Sequence, residues 1–444
     1  MIRSDSRKVV PGDVFIALRG INRDGHDYVN DAINRGAVKV IVEHGSYSAD
    51  TLVVPDTRKY LNEYLVSNYG SILNDMTIIG VTGTNGKTTI SYFIYQALNK
   101  LGRKCSMIGT LGFYKEDKVC DLSNTCPDVL SMYELLVDSY NSGYKCVVLE
   151  ASSQGLYEDR LYGVRFDFSI FTNLTHDHLD FHKSVENYAL AKRKLFLQLK
   201  DSGIGIVNVD DPYRYYFNCP NLVTYGFGIS NYRIVSFDSK SFSFNDGVNH
   251  SFNHNLIGRY NIYNLMASII VLVKMGYSYD ILGDVIPSIR CPRGRMEVYN
   301  YKTNRIIVDY AHTPDAISKV IDSLDSYNNL YVVFGCTGNR DRLKRPIMTK
   351  LVLSNSKFSI ITSDDLYDED FDSIVSDMME GNSYSNYSVI RDRGEAIIKG
   401  ISMLDNNDIL LVLGKGHEEF LKVGNSRVPF NDGKFILDFI NKSI

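Results

Sequence analysis

Residues 80–89 read Gly-Val-Thr-Gly-Thr-Asn-Gly-Lys-Thr-Thr, and this stretch constrains the fold more than any other. An apolar run at 76–80 precedes it, and residues 90–98 carry a helical pattern. Strand, glycine loop and helix in that order form a cradle for polyphosphate. Glycines let backbone N–H groups approach the oxygens, and the helix N-terminus adds partial positive charge. In that reading Lys87 neutralises the outer phosphates and the Thr88 hydroxyl sits on Mg²⁺. The general pattern G-x-x-x-x-G-K-[ST] ends correctly at Gly86, Lys87 and Thr88, but its first glycine would fall on Val81. Glycine stands at 83 instead, so the loop is not a strict example of that class. The competing reading is a plain glycine turn with an exposed lysine. The ordered strand, glycines, Lys-Thr pair and helix count against it.

A chain of 444 residues has room for roughly three domains of about 150 residues each. Short strand-like pieces at 14–18, 38–42 and 51–54, with a helical stretch at 28–35, predict a small α/β domain over residues 1–75. From 77 onward, strands at 77–81, 146–150, 168–172 and 205–208 alternate with helices such as 130–142 and 185–199. That alternation predicts an α/β domain over 76–292 with a parallel sheet covered by helices. Residues 227–252 differ: they are polar, aromatic and β-prone, and predict an antiparallel meander. A turn-rich segment at 290–295 marks a boundary. Strands at 305–309, 330–334, 359–362 and 409–413 then predict a third, Rossmann-like α/β domain over 293–444. The net charge of −4 gives no reason to expect nucleic-acid binding. Seven cysteines without a C-x-x-C pair suggest neither a zinc ribbon nor a disulfide framework. The charged start, and the lack of an apolar run near the roughly 18–20 residues needed to span a bilayer, argue against a leader or a membrane anchor. A cytoplasmic setting is expected.

Several clusters carry chemistry. Glu150 closes a strand at the carboxyl end of the sheet, where open α/β folds bind ligands. Beside a phosphate loop it is a candidate Mg²⁺ ligand; by itself it would be an ordinary strand-end acid. Residues 176–182 hold three histidines and two aspartates. A hydrolase metal site of the H-x-H-x-D-H kind fails there by one residue, at Phe181. The other readings are one histidine joining Glu150 on a metal, or a solvated polar loop. Lys192 lies on the amphipathic helix at 185–199 and reads as part of a solvated face. In the third domain, charged strand ends at 309–315, 335–341 and 414–418 would gather at one sheet edge as a second binding surface.

Taken together, these residues resemble the Mur ligases, ATP-dependent amide-forming enzymes of peptidoglycan precursor synthesis. That family's loop is Gly-Thr-Asn-Gly-Lys-Thr-Thr, here Gly83, Thr84, Asn85, Gly86, Lys87, Thr88 and Thr89. The resemblance covers almost the whole chain. It is nearest to the branch that adds the third amino acid to UDP-N-acetylmuramoyl-L-alanyl-D-glutamate. It implies a uridine-nucleotide domain at 1–75, an ATP-binding domain at 76–292 and an amino-acid-binding domain at 293–444. Asp5-Ser6-Arg7 matches the uridine motif, placing Ser6 on the UDP. Asn124-Thr125-Cys126-Pro127 resembles an Asn-Thr-Thr-Pro substrate motif, with Cys126 replacing a threonine. The run from Glu150 to Arg160 matches the metal and muramoyl-dipeptide segment and implicates Ser152 and Arg160. Glu158 stands where the branch often has glutamine. The run from Thr172 to His178 makes His178 a metal ligand. Lys192 matches the lysine that the family carbamylates with CO₂; the resulting anion would hold Mg²⁺ with Thr88, Glu150 and His178. Asn261, Asn264, Arg295, Asp309 and His312 resemble the ATP-side residues. The implied catalytic set is Lys87, Glu150, His178 and Lys192, working with ATP and two Mg²⁺.

Arg340 and Glu418 match residues that hold the amino acid's own carboxylate and amine, and Gly414 belongs to the same site. In family members that use meso-diaminopimelate the selectivity motif is Asp-Asn-Pro-Arg, with the arginine on the distal carboxylate. Here the stretch is Asp364-Asp365-Leu366-Tyr367. Without that arginine a buried second carboxylate lacks a bidentate partner. An acidic pocket favours a terminal ammonium, so L-lysine or a similar diamine is expected. The same divergence, together with Cys126, leaves a different carboxylate acceptor as the alternative. The expected partners are small-molecule substrates, with no nucleic acid, and the chain is expected to be a monomer.

Overall fold

A computed structural model describes residues 1–20, 23–175, 177–424 and 426–443. The chain forms two compact units. One comprises Met1–Gly80, Arg103–Ser169 and Ala191–Ile204; the other comprises Val81–Gly102, Ile170–Leu190 and Gly205–Ile444.

The first unit begins with a four-stranded parallel sheet: Ile2–Arg3, Val14–Ile16, Lys39–Val42 and Asp50–Val53, in that order. Phe15, Val40 and Val42 bury one side of it against Val29 and Ala32. The helical stretch expected at 28–35 is a 3₁₀ turn, Gly25–Tyr28, running into a helix, Val29–Asn34. Asp24 starts that turn, its side chain accepting from His26 N. Helix Thr57–Asn74, capped by Asp56, escaped the sequence reading. Its buried face is only Thr57, Leu61, Asn62, Leu65 and Leu73, too sparse for a clear apolar stripe. It packs on helix Val129–Asn141, which Asp128 caps.

An eleven-stranded sheet carries the phosphate loop. Its order is Asn249–Asn253, Ser241–Asn245, Tyr232–Phe237, Leu222–Gly226, Leu199–Asn208, Phe166–Phe171, Thr77–Thr82, Cys146–Glu150, Cys105–Gly109, Gly112–Tyr114 and Lys118–Cys120. Cys146–Glu150 is buried along its whole length and Thr77–Thr82 nearly so, the mark of strands covered on both faces. Cys105–Gly109 and Cys146–Glu150 pair in parallel. The expected meander is two antiparallel hairpins built on strand Tyr232–Phe237. They extend the same sheet, because Tyr232–Phe237 pairs in parallel with Leu222–Gly226. Phe242, Phe244 and Phe252 stack there, with Phe242 and Phe252 ring centres 6.0 Å apart. At the opposite margin Lys118–Cys120 is exposed at every residue.

The second unit ends in a six-stranded sheet, ordered Glu297–Tyr301, Asn304–Asp309, Ile409–Leu413, Leu330–Phe334, Phe358–Ile361 and Tyr387–Val389. Only its first pair is antiparallel. Asp309, Phe334, Ile361 and Leu413 therefore end their strands on one edge, and the loops that follow share that edge. Two buried arginines hold this region. Arg345 bonds Glu369 at 2.9 Å and Asp377 at 2.7 Å. Arg393 makes a bidentate pair with Asp432, both contacts at 2.7 Å. Its remaining donors reach Ser363 O at 3.2 Å and Leu413 O at 2.9 Å, the carbonyls before Asp364 and Gly414. Among the described residues no helix is long and apolar enough to cross a membrane.

Candidate active site

The loop after Thr77–Thr82 is shaped by two glycines. Gly83 has φ +149°, and a Cβ there would stand 1.8 Å from Thr172 Oγ1. Gly86 has φ +88°, and its Cβ would meet Asn264 Oδ1 at 2.6 Å. Both positions exclude a side chain, which is what close approach of backbone to a ligand requires. The neighbouring strand end braces the loop. Asn173 O accepts from Thr84 N at 2.8 Å, Asn173 Oδ1 accepts from Asn85 N at 3.0 Å, and Thr172 Oγ1 donates to Asn85 O at 2.6 Å. Lys87 Nζ donates back to Gly83 O at 2.8 Å and to Thr84 O at 2.9 Å. The ammonium thus caps its own loop. Helix Lys87–Lys100 starts at Gly86 with no side-chain cap, so its first N–H groups face the loop. Thr88 and Thr89 are buried in the first turn.

Beside the loop lies a cavity of about 970 Å³. Asn85, Gly86, Thr89, Asn261, Asn264, Arg295, Asp309 and His312 all line it, so eight of the expected ATP-side residues share one wall system. Asn264 Nδ2 donates to Asn261 Oδ1 at 3.1 Å, fixing both amides. Arg295 lies over the Tyr310 ring at 4.5 Å, and its buried Nε has no hydrogen-bond partner among the described residues. Asp309 accepts from Met296 N and Ala311 N, each at 2.8 Å, and burial holds its carboxyl above the usual range despite Arg295. Burial, then the Lys344 charge, push the His312 imidazole below its usual value. Sequence reasoning missed Asp315, whose Oδ2 accepts from Asn85 Nδ2 at 3.0 Å and from Lys319 Nζ at 2.8 Å. A glycine cradle, uncapped helix N–H groups and a guanidinium with an unpartnered Nε fit a nucleotide polyphosphate.

A second set lies in the first unit. Glu150 is fully buried; Oε1 accepts from Thr110 N at 2.8 Å and Oε2 from Thr110 Oγ1 at 3.0 Å. Thr110 Oγ1 is 3.0 Å from Thr125 Oγ1. The Cys126 thiol donates to Glu150 O at 3.0 Å, and Arg160 Nη1 donates to Cys126 O at 2.7 Å. The structure therefore joins Thr125, Cys126, Glu150 and Arg160 in one network. Ser152 caps helix Ser153–Tyr157 through Gly155 N. Glu158 grips Arg160 at 2.9 and 2.6 Å, so it is tied to the arginine it stands beside. Asn124 is exposed, and Ser6 is buried at the head of the 3₁₀ turn Ser6–Lys8.

One expectation changes. Lys192 is 1% exposed, not part of a solvated face: helix Val185–Leu197 turns it inward with Tyr188, Ala189 and Leu195. No group of three or more His, Cys, Asp and Glu that could hold a metal occurs among the described residues, and His176 lies outside them. The His178 side chain is 62% exposed, with Nε2 3.5 Å from Asp177 Oδ2.

The third set follows strands Phe358–Ile361 and Ile409–Leu413. Asp364, Asp365 and Lys415 are buried. Lys415 Nζ donates to Asp365 Oδ1 at 2.6 Å and to Glu418 Oε2. Burial works against the Lys415 ammonium, but Asp364, Glu418 and Asp365 together raise its pKa. Thr337 Oγ1 donates to Asp364 Oδ1 at 3.3 Å, and Tyr310 OH donates to Glu418 Oε1 at 3.3 Å. Gly414, at φ +107°, would put a Cβ 2.5 Å from Asp364 Oδ2. Lys422 Nζ stands 3.5 Å from Asp365 Oδ2 and donates to Tyr367 OH at 3.0 Å. Arg340 is exposed on the loop after Leu330–Phe334. The acidic pocket that suggested L-lysine thus contains two lysines, which no local sequence signal tied to Asp365.

Three family descriptions match the chain: "Mur ligase family, catalytic domain" over residues 1–68, "Mur ligase middle domain" over 81–272, and "Mur ligase, glutamate ligase domain" over 294–416. The UDP-N-acetylmuramoyl-L-alanyl-D-glutamate–2,6-diaminopimelate ligase of Aquifex aeolicus is 36% identical, covering 99% of this chain and 93% of that protein. A solved structure of a ligase with the same description is 32% identical, with TM-score 0.69, covering 100% of this chain and 94% of that one. The MurF ligase of Thermotoga maritima in complex with ADP shares the fold, with TM-score 0.71 at 20% identity, covering 99% of this chain and 97% of that one. A phosphate loop with its cavity, and similarity along the full length, make this chain a member of the Mur ligase family, the ATP-dependent ligases of peptidoglycan precursor synthesis.

Proposed function

We propose that the chain joins a diamino acid to the free carboxylate of UDP-N-acetylmuramoyl-L-alanyl-D-glutamate. The observation that carries this reading is the glycine cradle of Gly83 and Gly86 opening on a cavity lined by Arg295, whose Nε has no hydrogen-bond partner among the described residues. The acceptor carboxylate attacks the γ-phosphorus of ATP, releasing ADP and giving an acyl phosphate. The amine of the incoming amino acid then attacks the acyl carbon, and inorganic phosphate leaves as the amide forms. Lys87 and Arg295 offset charge on the phosphates, while Arg160 and Ser152 position the acceptor. Arg340, Gly414 and Glu418 hold the amino acid, with Asp364, Asp365 and Tyr367 around its side chain. Positioning and charge stabilisation supply most of the rate. When bound, Mg²⁺ neutralises the phosphate oxygens; Thr88, Glu150, His178 and a carbamate formed from CO₂ on Lys192 would hold it.

We assign the uridine, ATP and amino-acid roles to domains 1–75, 76–292 and 293–444, in a cytoplasmic monomer. For the amino acid, the named relatives use 2,6-diaminopimelate, itself a diamine. The earlier preference for L-lysine rested on unneutralised acid, and Lys415 and Lys422 remove that reason. The test is phosphate release by the purified protein, with product mass as a second readout. Release should require ATP, the muramoyl dipeptide and one diamino acid together. No turnover across a panel of amino acids would sink the reading, and turnover only with another carboxylate acceptor would favour the alternative one.

A further inference from the structure

The geometry points to Lys422, mounted on Tyr367, as the group that reads a carboxylate at the far end of the incoming amino acid. This rests on the proposed seat of the amino acid against Asp364, Asp365 and Glu418, and names what meets its side chain.

The charges of the cluster divide by access. Lys415 is 1% exposed at its side chain and is committed to Asp365 and Glu418. Lys422 is 35% exposed. Its ammonium carries three N–H donors. One goes to Tyr367 OH at 3.0 Å, and Asp365 Oδ2 stands at the edge of contact at 3.5 Å. Donor capacity remains on the open side. Tyr367 OH accepts from Lys422, so its own proton can be donated outward. Ammonium and phenol therefore offer two donors, side by side, to one carboxylate.

The mount is held on the backbone. Tyr367 sits at φ +50°, a left-handed conformation uncommon for a bulky residue. Leu366 N donates to Lys422 O at 2.8 Å, Gly424 N donates to Tyr367 O at 2.6 Å, and Lys422 N donates to Asp365 Oδ1 at 2.9 Å. The Lys422 ammonium lies 5.2 Å from the centre of the Tyr367 ring. A long, rotamer-rich side chain held this way loses less freedom when it binds. Burial opposes the charge on Lys422, but its contacts with Tyr367 and Asp365 raise its pKa, so it is a cation at neutral pH. A bare ammonium arriving here meets a like charge, whereas a carboxylate meets a cation and a hydroxyl. The two residues thus do the work for which the related motif uses an arginine.

The experiment is steady-state kinetics on the full chain with ATP and the muramoyl dipeptide, comparing meso-2,6-diaminopimelate with L-lysine. Wild type should prefer the carboxylate-bearing substrate. Lys422→Met should raise its KM about 10- to 100-fold, the range for losing a charge-assisted hydrogen bond. kcat, and KM for ATP, should change little, and the preference should move toward L-lysine. Lys422→Arg should restore most of the discrimination, and Tyr367→Phe should cost about 3- to 10-fold, as for one neutral hydrogen bond. Lys422→Gln repeats the comparison if the Met variant fails to fold. A wild type that prefers L-lysine, or a Lys422 variant with an unchanged ratio of the two substrates, overturns the proposal while leaving the ligase reading intact. A wild type that turns over neither substrate overturns both.

Discussion

The phosphate loop and the acid cluster both follow parallel strands, yet they manage charge in opposite ways. The loop works with partial charges on backbone N–H groups, set by Gly83 and Gly86 and braced by Thr172 and Asn173. The cluster works with whole charges, Asp365 and Glu418 against Lys415 and Lys422, brought together from positions up to 57 apart in the chain. One is a contiguous piece of sequence whose donors are its own backbone, with a neighbouring strand end as its brace. The other exists only once the sheet has formed.

The comparison breaks first at Lys87. Lys87→Ala should lower turnover on the order of 10³-fold, as expected when a charge on transferring phosphate is lost. Phosphate release that stayed within tenfold of wild type would mean the loop does not cradle ATP. Next comes Gly83→Ala, which changes no charge. Its Cβ would stand 1.8 Å from Thr172 Oγ1, so ADP affinity measured by calorimetry should fall at least about tenfold from backbone displacement alone. Unchanged affinity would show that the loop tolerates a side chain there.

The other side of the contrast is tested by stability. Arg393→Met strands the buried Asp432 and releases the carbonyls before Asp364 and Gly414. Unfolding by denaturant should show a loss of about 3–5 kcal/mol. A loss below 1 kcal/mol would mean that this pair does not hold the cluster's loops. The smallest effect is a pH slope at Asp309, on the cavity wall. Burial keeps its folded pKa above the 3.8 of the unfolded chain. Below 3.8 both states hold the proton; above it the unfolded chain loses the proton first, so the stabilising contribution falls as pH rises through the folded value. Wild type should therefore lose stability relative to Asp309→Asn as pH rises above 3.8, and parallel stability curves would refute this.

What could be read from sequence follows the same division. Buried strands such as Cys146–Glu150 announce themselves as apolar runs, and the loop announces itself through glycines at fixed spacing. Asn261, Asn264, Arg295, Asp309 and His312 are named only through short motifs that resemble the family's, and the fold sets them on one cavity wall. The failures are side chains whose environment is set by distant segments. Lys192 lies on an amphipathic helix, where a lysine reads as solvated, and is still buried. Lys422 lies on the short strand Phe420–Val423, which carries no motif, and only the fold seats it on Tyr367. Arg345 and Arg393 look like surface arginines in sequence, and their acids lie 24 to 39 positions away.

The margin of the large sheet has a practical consequence. Cys120 is exposed on strand Lys118–Cys120, whereas Cys105, Cys126, Cys146 and Cys336 are buried and burial pushes the thiols of Cys105, Cys126 and Cys336 up. Thiolate is the nucleophile, so a mild alkylating reagent has its most accessible target at Cys120. A fluorophore carried there would watch the sheet from its rim while leaving Cys126, bonded to Glu150 and Arg160, untouched.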